Sequence, residues 1–290
     1  MTYQHKSNHQ FQRGLKMSRE AVTHLCALLN DELQPMGFAG HPMPMPVALK
    51  ATGILTFCTS ASFQAPTGDL CGVSQSAIHR YIREVTEALY RRAAGYVCFG
   101  TDPESQSRRA VRAGLIAGVP LVQRFTDCTH VAIKVPVRQP AAFLIRKDFY
   151  SLKLQIVCDH RKCFMHVCDC LPGSCHNSFI LCQSQVPLLF TASSQIQGWL
   201  LVDKGYPLQT WLLMPLRNTA SDVEETYEAC HGSTQAIIEQ AISLLKICFR
   251  CLHRSVGALQ YSLQRVARIV AVCCTLHNFA TERGEALQEK

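Results

Sequence analysis

Two aspartates and one glutamate occupy positions where metal-dependent chemistry could take place. Asp127 stands near the beginning of the alternating apolar segment TDCTHVAIKVP at residues 126 to 136, and Asp203 directly follows the apolar run WLLV. Glu239 lies in a segment with helical spacing, to one side of its apolar stripe. If the fold brought them together, three carboxylates could bind Mg²⁺ or Mn²⁺, and two such ions can stabilise both the attacking and leaving oxygens of a phosphodiester displacement. The residues alone leave an alternative open, in which two turn aspartates and a solvated glutamate share no role.

The strand expected around Asp127 is indicated by period-two spacing. Val131, Ile133 and Val135 alternate with polar residues, which predicts a half-buried strand with Asp127 at or near its start. Because aspartate is a poor strand former, this position suggests either a functional carboxylate or an Asx-type turn that begins the strand.

Asp203 and Glu239 would be positioned by a strand and a helix. The apolar run at residues 199 to 202 predicts a buried strand with Asp203 at its C-terminal end, where α/β sheets usually hold their sites. Glu239 falls in a predicted helix capped by Ser233 or Thr234, either of which is a good N-cap.

The chain from residue 120 onward contains both strand and helix patterns. Three strands, a helix, a further strand and more helices suggest a mixed sheet with helices packed on it. The strand segments are FTDCTHVAIKVP, YSLKLQIVCDH, CFMHVCDCLPGS and GWLLVDKGYP, and the helix segments are CHNSFILCQSQV, STQAIIEQAISLLKICFRCL and SLQRVARIVAVCCTLHNFATERG.

The earlier part of the chain is predicted to be helical. Ser18 is an N-cap candidate for a helix at residues 17 to 33, and a second helix pattern follows at residues 47 to 62. Between residues 66 and 92, two glycines and Ser74 separate two further helices. A short helix, a glycine turn and a capped helix are typical of a helix-turn-helix.

The last of these helices would present a polar face that can contact DNA. The spacing of its apolar residues places Gln75, His79, Arg80 and Arg83 outward, where they can reach bases or phosphates. The alternative is an ordinary helical hairpin with a solvated basic face. The polar, glycine-bearing segment at residues 100 to 120 is predicted to link two domains.

Composition places the chain among ordinary globular proteins. Of its 290 residues, 48% are apolar and 17% are charged. No apolar run reaches the ~18 residues of a membrane span, so we expect a soluble, intracellular protein. The net charge of +8 is spread evenly, with 12 basic and 8 acidic side chains in residues 1 to 112 and 17 and 13 in the remainder. Such a spread favours a nucleic-acid partner only mildly.

The sixteen cysteines are expected to be mostly buried thiols that pack as small apolar residues. Residues 158 to 176 are rich in cysteine and histidine, but no pair there has the Cys-x₂-Cys spacing of a zinc knuckle, so zinc is not expected. Cys248 and Cys251 do have that spacing. They fall on an apolar helical stripe, which favours core packing over a redox role.

Six motifs occur in order between about residues 115 and 280: DCTHVAIKVP, IRKDFYSLKLQIVCD, LPGSCHN, LLVDKGYPLQTWLLMPL, IIEQAISLLKICFRCL and VCCTLHNF. This series resembles the Harbinger transposase-derived nuclease family. The upstream segment FCTSASFQAPTGDLCGVSQSAIHRYIREVTEAL resembles that family's N-terminal helical region. The resemblance implies a ribonuclease H-like fold with a DDE triad that binds a divalent metal, Mg²⁺ or Mn²⁺. Residue by residue, the triad falls on Asp127, Asp203 and Glu239.

The chain departs from the family pattern at several positions near this triad. The family usually has an acid, sometimes counted among the metal ligands, three residues after the serine of its PGS motif. This chain has Asn177 there, whose amide oxygen could coordinate metal without adding a negative charge. Lys204 follows Asp203 where the family usually has serine, Gln235 replaces a common arginine, and Ile242 replaces a common phenylalanine.

The sequence therefore predicts an α/β protein with two domains. A helical, helix-turn-helix-like region would occupy residues 1 to 112, and a ribonuclease H-like DDE endonuclease domain, with a mixed sheet flanked by helices, would occupy residues 113 to 290. The predicted activity is metal-dependent DNA cleavage, and the alternative is a domesticated DNA-binding or scaffold protein whose nuclease site has decayed. The resemblance also implies a separate Myb/SANT-like DNA-binding partner. Since the chain has no strong lysine and arginine cluster, we expect it in the cytoplasm and, with that partner, in the nucleus.

Overall fold

The computed structural model describes residues 7–34, 45–60, 72–168, 171–191, 196, 198–216 and 218–285. The chain divides into two compact units, one formed by Met1–Tyr96 with Leu244–Lys290 and the other by Val97–Ser243. The predicted boundary after residue 112 remains a prediction about functional domains, and the two units divide the chain elsewhere.

The described elements follow one another along the chain in this order: α1 (Asn8–Leu15), α2 (Arg19–Leu33), α3 (Val47–Ser60), α4 (Gln75–Tyr96), α5 (Pro103–Ala117), β1 (Val122–Ala132), α6 (Pro140–Phe143), β2 (Leu144–Ile145), β3 (Phe149–Cys158), β4 (Phe164–Val167), β5 (Leu171–Pro172), α7 (Asn177–Gln183), α8 (Val186–Thr191), β6 (Trp199–Leu201), β7 (Leu212–Leu213), α9 (Asp222–Cys248) and α10 (Leu263–Glu282). Two short 3₁₀ turns, Arg250–Leu252 and Arg254–Val256, lie between α9 and α10.

The first unit is a helical bundle in which α4 packs against α2, α3 and α10. The predicted caps are present: the Ser18 side chain accepts the Ala21 N–H at the start of α2, and the Ser74 hydroxyl accepts the Ala77 N–H at the start of α4. The inward positions predicted for α4, among them Ile78, are fully buried. These parts of the helical prediction are confirmed, because apolar residues at helical spacing found partners to cover them.

The first helix of the predicted helix-turn-helix precedes Gly72 and lies outside the described residues. Its second helix is α4. A helix-turn-helix therefore stays a prediction. No helix among the described residues combines the length and apolar character needed to cross a membrane.

Most of the segment predicted to link two domains, residues 100 to 120, forms the helix α5. The Asp102 side chain accepts the Ser105 N–H as N-cap, and Pro103 occupies the first helical turn, where a missing N–H costs nothing. Gly118 then ends the helix in the left-handed conformation, at φ 66°. The polar residues and glycine that suggested a linker are therefore the caps and solvent face of a helix.

The second unit contains a mixed sheet of seven strands among the described residues, with the central order β2-β3-β1-β6-β7. β1 pairs antiparallel with β3, and β4 and β5 pair antiparallel with the other edge of β3. On its opposite edge β1 pairs parallel with β6, which pairs parallel with β7. This mixed α/β architecture confirms the predicted strands and helices after residue 120 and is compatible with the ribonuclease H-like fold.

A cluster of buried apolar side chains packs against this sheet. Aromatic and aliphatic side chains from the sheet, from α7 and α8 and from the connecting segments pack together there. Its buried members are Phe99, Val157, Leu181, Val186, Ile196, Leu200, Val202, Tyr206, Trp211 and Leu212. The cluster packs around the strand end that carries Asp203, because Leu200, Val202 and Tyr206 each lie within three residues of it.

Two element boundaries differ from the sequence prediction. β1 begins at Val122, so Asp127 lies in the middle of the strand and does not form an Asx turn at its start. Helix α9 begins at Asp222, so Ser233 and Thr234 are not N-caps. Both hydroxyls instead donate to the Cys230 carbonyl, as they do inside helices.

Candidate active site

The two aspartates are brought side by side by the parallel pairing of β1 and β6. Phe125 pairs with Leu201 in this register. Asp127 and Asp203 each lie two residues further along, so they stand at the same level of neighbouring chains. Strands in a sheet are about 4.8 Å apart. The structure thus confirms that Asp203 follows the end of a buried strand, as the sequence predicted.

The third acid, Glu239, lies on an exposed part of α9, whose neighbouring residues Ile238 and Ile242 are buried. Its charge acts on Asp127. The pKa of the Asp127 carboxyl is raised from 3.8 to about 6, mainly by burial, with further contributions from the charges of Asp203 and Glu239. The Cys128 N–H and the charge of Lys153 act in the opposite direction. The charges of Asp203 and Glu239 therefore reach Asp127, although burial is the larger cause of its raised pKa.

Each aspartate is held through one oxygen by a neighbouring backbone N–H. The Cys128 N–H donates to Asp127 Oδ1, and the Lys204 N–H donates to Asp203 Oδ1, both at 2.6 Å. Asp203 is exposed and Asp127 is half-buried. The three carboxylates are more open than a closed cation cage, since they do not form a group whose ligand atoms all lie within 4.8 Å of one another. The arrangement is an acidic, solvent-accessible site.

Asn177, the fourth predicted metal ligand, lies beside the turn that follows Asp203. It is the first residue of α7 and is half-buried. A Cβ built on Gly205 would lie 3.2 Å from Asn177 Nδ2, so the amide rests directly against the backbone of that turn. The structure therefore brings Asn177 to the same end of the sheet as the two aspartates.

The PGS motif before Asn177 is shaped by a close backbone approach. A Cβ on Gly173 would overlap the Ser151 hydroxyl and lie 2.8 Å from the Ser151 carbonyl oxygen, so only glycine fits. In addition, the Ser174 hydroxyl donates to the Ala142 carbonyl at 2.7 Å. These contacts fix the loop on β3 and α6 and so set where α7 begins.

A hydrogen-bonded group that the sequence analysis missed connects the two aspartate segments. The Tyr206 hydroxyl lies 3.3 Å from Cys128 Sγ and accepts a hydrogen bond from Gln155 Nε2 at 3.3 Å. Tyr206 is buried and follows Asp203 by three residues, whereas Cys128 is next to Asp127. Its partners Cys128 and Gln155 are more than fifty residues away in the chain, so no local pattern indicated them.

His231 is a second residue that the sequence analysis missed. It is buried on α9, close to the backbone of Leu213 and of Val202, the residue before Asp203. Burial lowers its pKa, against the opposing effects of those backbone groups and of the nearby acids Glu228 and Asp203. His231 thus lies between α9 and the strand ends, two helical turns before Glu239.

The predicted DNA-contacting residues lie on one face of α4 in the first unit. All four, Gln75, His79, Arg80 and Arg83, are exposed, as the sequence predicted. Arg80 Nε lies 3.6 Å from a carboxylate oxygen of Glu84, and His79 Nε2 lies 3.3 Å from a guanidinium nitrogen of Arg265 on α10. The face is basic and accessible within this unit, and its binding to DNA remains a prediction.

The cysteine- and histidine-rich segment at residues 158 to 176 is described except for two residues, one of which is Cys170. Within its described residues, no three His, Cys, Asp or Glu side chains have ligand atoms that all lie within 4.8 Å of one another. Cys248 and Cys251 are both buried, which agrees with core packing.

Comparison with known proteins gives a consistent result. Residues 126–278 match the sequence family described as DDE superfamily endonuclease. The chain is 38% identical over 268 residues to the protein named "Putative nuclease HARBI1" of Homo sapiens and 37% identical over 267 residues to that of Bos taurus, each match covering 92% of this chain and 76% of the relative. It is 24% identical over 294 residues to "Protein ALP1-like" of Arabidopsis thaliana, covering 92% and 70%. No solved structure matches the chain.

Proposed function

The chain belongs to the Harbinger transposase-derived nuclease family, within the DDE superfamily endonucleases, and on this basis we propose that it is a divalent-metal-dependent DNA endonuclease. The family match and the relatives named as nucleases support a nuclease of transposase origin. We further propose that Asp127, Asp203 and Glu239 are the residues that bind metal and carry the reaction.

The observation that carries this proposal is the electrostatic state of Asp127. Aspartate is uncommon inside strands, and here one is half-buried in mid-strand with its pKa raised by burial and by two other carboxylates. Crowding three acids costs stability unless a cation offsets their charge. Such perturbed groups in accessible positions are typical of functional sites. The donor set, three carboxylates with the nearby amide of Asn177, suits Mg²⁺ or Mn²⁺.

When bound, Mg²⁺ or Mn²⁺ would polarise a phosphodiester and favour a nucleophilic water or 3′-hydroxyl. The chain's own residues supply the positioning. Backbone N–H groups hold one oxygen of Asp127 and one of Asp203, so each carboxylate keeps a second oxygen to face the cation. Tyr206, through Cys128 and Gln155, keeps the two aspartate segments in register.

DNA is the proposed substrate, and two sets of polar and basic residues could contact it. Lys204 is exposed and directly follows Asp203, so its ammonium group is available to a phosphate at the cleavage site. On α4, Gln75, His79, Arg80 and Arg83 would contact bases or phosphates. The Myb/SANT-like partner and the distribution between cytoplasm and nucleus remain predictions from the family resemblance.

The decisive experiment is nicking of supercoiled plasmid DNA by the purified chain with Mg²⁺, with Mn²⁺ and with chelator alone. We expect cleavage with metal only. Asp127→Asn, Asp203→Asn and Glu239→Gln should each abolish it with little change in volume, since residues that act as a unit are not additive. Asp31→Asn, an exposed acid on α2, is the matched control and should cleave as the parent does.

The alternative is a DNA-binding or scaffold protein with a decayed site, and one observation favours it. Asn177 stands where the family usually has an acid, so the site carries one negative charge fewer. If neither metal binds nor supports nicking, while DNA binding persists, this alternative replaces the nuclease. A single variant that cleaves at the parent rate would remove only that residue from the proposed site.

A further inference from the structure

Three cysteines that the proposed cleavage site does not use lie together in the core of the first unit. Cys58 is in the last turn of α3, Cys251 is in the 3₁₀ turn after α9, and Cys273 is in the middle of α10. Each is 5% exposed or less. Their sulfur atoms all lie within 4.8 Å of one another, and those of Cys251 and Cys273 are 3.9 Å apart.

This thiol cluster is produced by packing and not by a local motif. Its members come from three separate elements, and the 3₁₀ turn that carries Cys251 packs against α3. Among the described residues, no other group of three or more His, Cys, Asp or Glu side chains has ligand atoms at this spacing. The only local signal, the Cys-x-x-Cys of Cys248 and Cys251, contributes one member to the cluster and leaves the other out.

We propose that Cys58, Cys251 and Cys273 form a binding site for one thiophilic metal ion of the Cu⁺ or Zn²⁺ class. Thiolates are soft ligands that select these ions. A metal–sulfur bond of about 2.3 Å places sulfurs about 4.0 Å apart around a trigonal ion and about 3.8 Å apart around a tetrahedral one. The sulfurs of Cys251 and Cys273, 3.9 Å apart, already have this separation. The sulfur of Cys58 lies within 4.8 Å of both, so it needs to move by about 1 Å at most to reach the same separation.

Donor number and charge favour different ions. Structural zinc sites are almost always four-coordinate, and the cluster offers three ligands, which suits Cu⁺. Three thiolates around Zn²⁺ leave one net negative charge in the core, whereas around Cu⁺ they leave two unless a thiol keeps its proton, and buried charge is costly. The chemistry shared by both ions is thiolate coordination, so the experiment must include both.

A disulfide accounts for the cluster less well. A disulfide requires sulfurs about 2.05 Å apart, and it would join only two of the three thiols and leave the third unpaired. Simple packing of three small, polarisable groups predicts no metal affinity at all. These two alternatives and metal binding therefore differ in what a titration would measure.

The experiment uses the reduced, metal-free full chain. Cu⁺ is titrated against a chromophoric chelator, and Co²⁺ is titrated as a spectroscopic substitute for Zn²⁺, followed by displacement with Zn²⁺. We expect one ion per chain, with thiolate-to-metal charge-transfer absorption and three sulfur ligands by X-ray absorption of the loaded parent. Cys58→Ala, Cys251→Ala and Cys273→Ala should each lower the affinity more than about a hundredfold, beyond the effect of losing an outer-shell partner.

Two control variants separate this site from its surroundings and from the carboxylates. Cys248→Ala removes a buried cysteine outside the cluster, and Asp203→Asn weakens the proposed cleavage site; both should bind one thiophilic ion as the parent does. The proposal is overturned if the parent binds neither ion at one equivalent, if its ion has fewer than three sulfur ligands, or if the cluster variants bind as tightly as the parent. The sulfur count on the parent requires no variant to fold.

Discussion

Replacing Asp127 with asparagine should stabilise the metal-free protein while abolishing its cleavage of DNA. The Asp127 pKa of about 6 lies above its ordinary value of 3.8. A difference of about 2 pKa units corresponds to about 3 kcal/mol between the protonation states. Because Asp127 is only partly buried, solvent screening reduces this to about 1–2 kcal/mol. At roughly 2–4 °C per kcal/mol, the apo variant should melt about 2–8 °C above the parent near pH 8.

The sign of this effect depends on pH. A carboxyl whose folded-state pKa is raised contributes stability while it is protonated, and that contribution is lost as pH rises through the folded-state pKa. Near pH 4 the parent and Asp127→Asn should therefore be equally stable, since asparagine resembles the protonated acid. Their melting temperatures should separate between pH 4 and pH 7, with the variant higher.

Thermal unfolding followed by circular dichroism, in chelator and then with excess Mn²⁺, measures both parts of the prediction. Mn²⁺ should raise the melting temperature of the parent and have much less effect on Asp127→Asn, because binding to the folded state alone is stabilising. Asp31→Asn is the control and should show no separation across this pH range. An apo variant that is no more stable than the parent near pH 8 would refute the idea that burial, with the charges of Asp203 and Glu239, makes an ionised Asp127 costly in the folded protein.

Three further predictions concern residues around the site and on α4. Tyr206→Phe removes a hydroxyl that contacts both Cys128 and Gln155. The variant should slow cleavage about 5–30-fold, the equivalent of about 1–2 kcal/mol. An unchanged rate in a single-turnover assay would exclude a positioning role for Tyr206. Asn177→Asp should tighten Mn²⁺ binding measured by calorimetry about tenfold or more, and an unchanged or weaker affinity would place residue 177 outside the coordination sphere. Arg80→Ala combined with Arg83→Ala should weaken DNA binding and flatten the slope of log affinity against log salt by about two, whereas an unchanged slope would indicate that this face does not meet DNA.

The sequence by itself determined those elements whose caps and apolar spacing lie within the element. Ser18 and Ser74 cap their helices as predicted, and the alternating and apolar runs became strands. Prediction failed where the decisive contact was not local. Asp102 and Gly118 are the ends of a helix whose middle is polar, so the segment resembled a linker until its packing against β1 was known. The start of β1 was missed because Val122 and its neighbours are buried on both faces and do not alternate.

For the candidate site, the sequence by itself identified the family through ordered motifs, and through the resemblance it predicted the three acids of the site. Only the tertiary structure decided which of them act on one another. The parallel register of β1 and β6 sets Asp127 level with Asp203. Burial, together with the charges of Asp203 and Glu239, which are remote from Asp127 in the sequence, raises the Asp127 pKa. Tyr206 and His231 carry no local signal for these roles, and of the three clustered cysteines only Cys251 belongs to a local motif. Their partners are remote in sequence. The periodicity of a segment indicates which face of its helix or strand a residue lies on, but the packing of whole elements decides which residue it contacts.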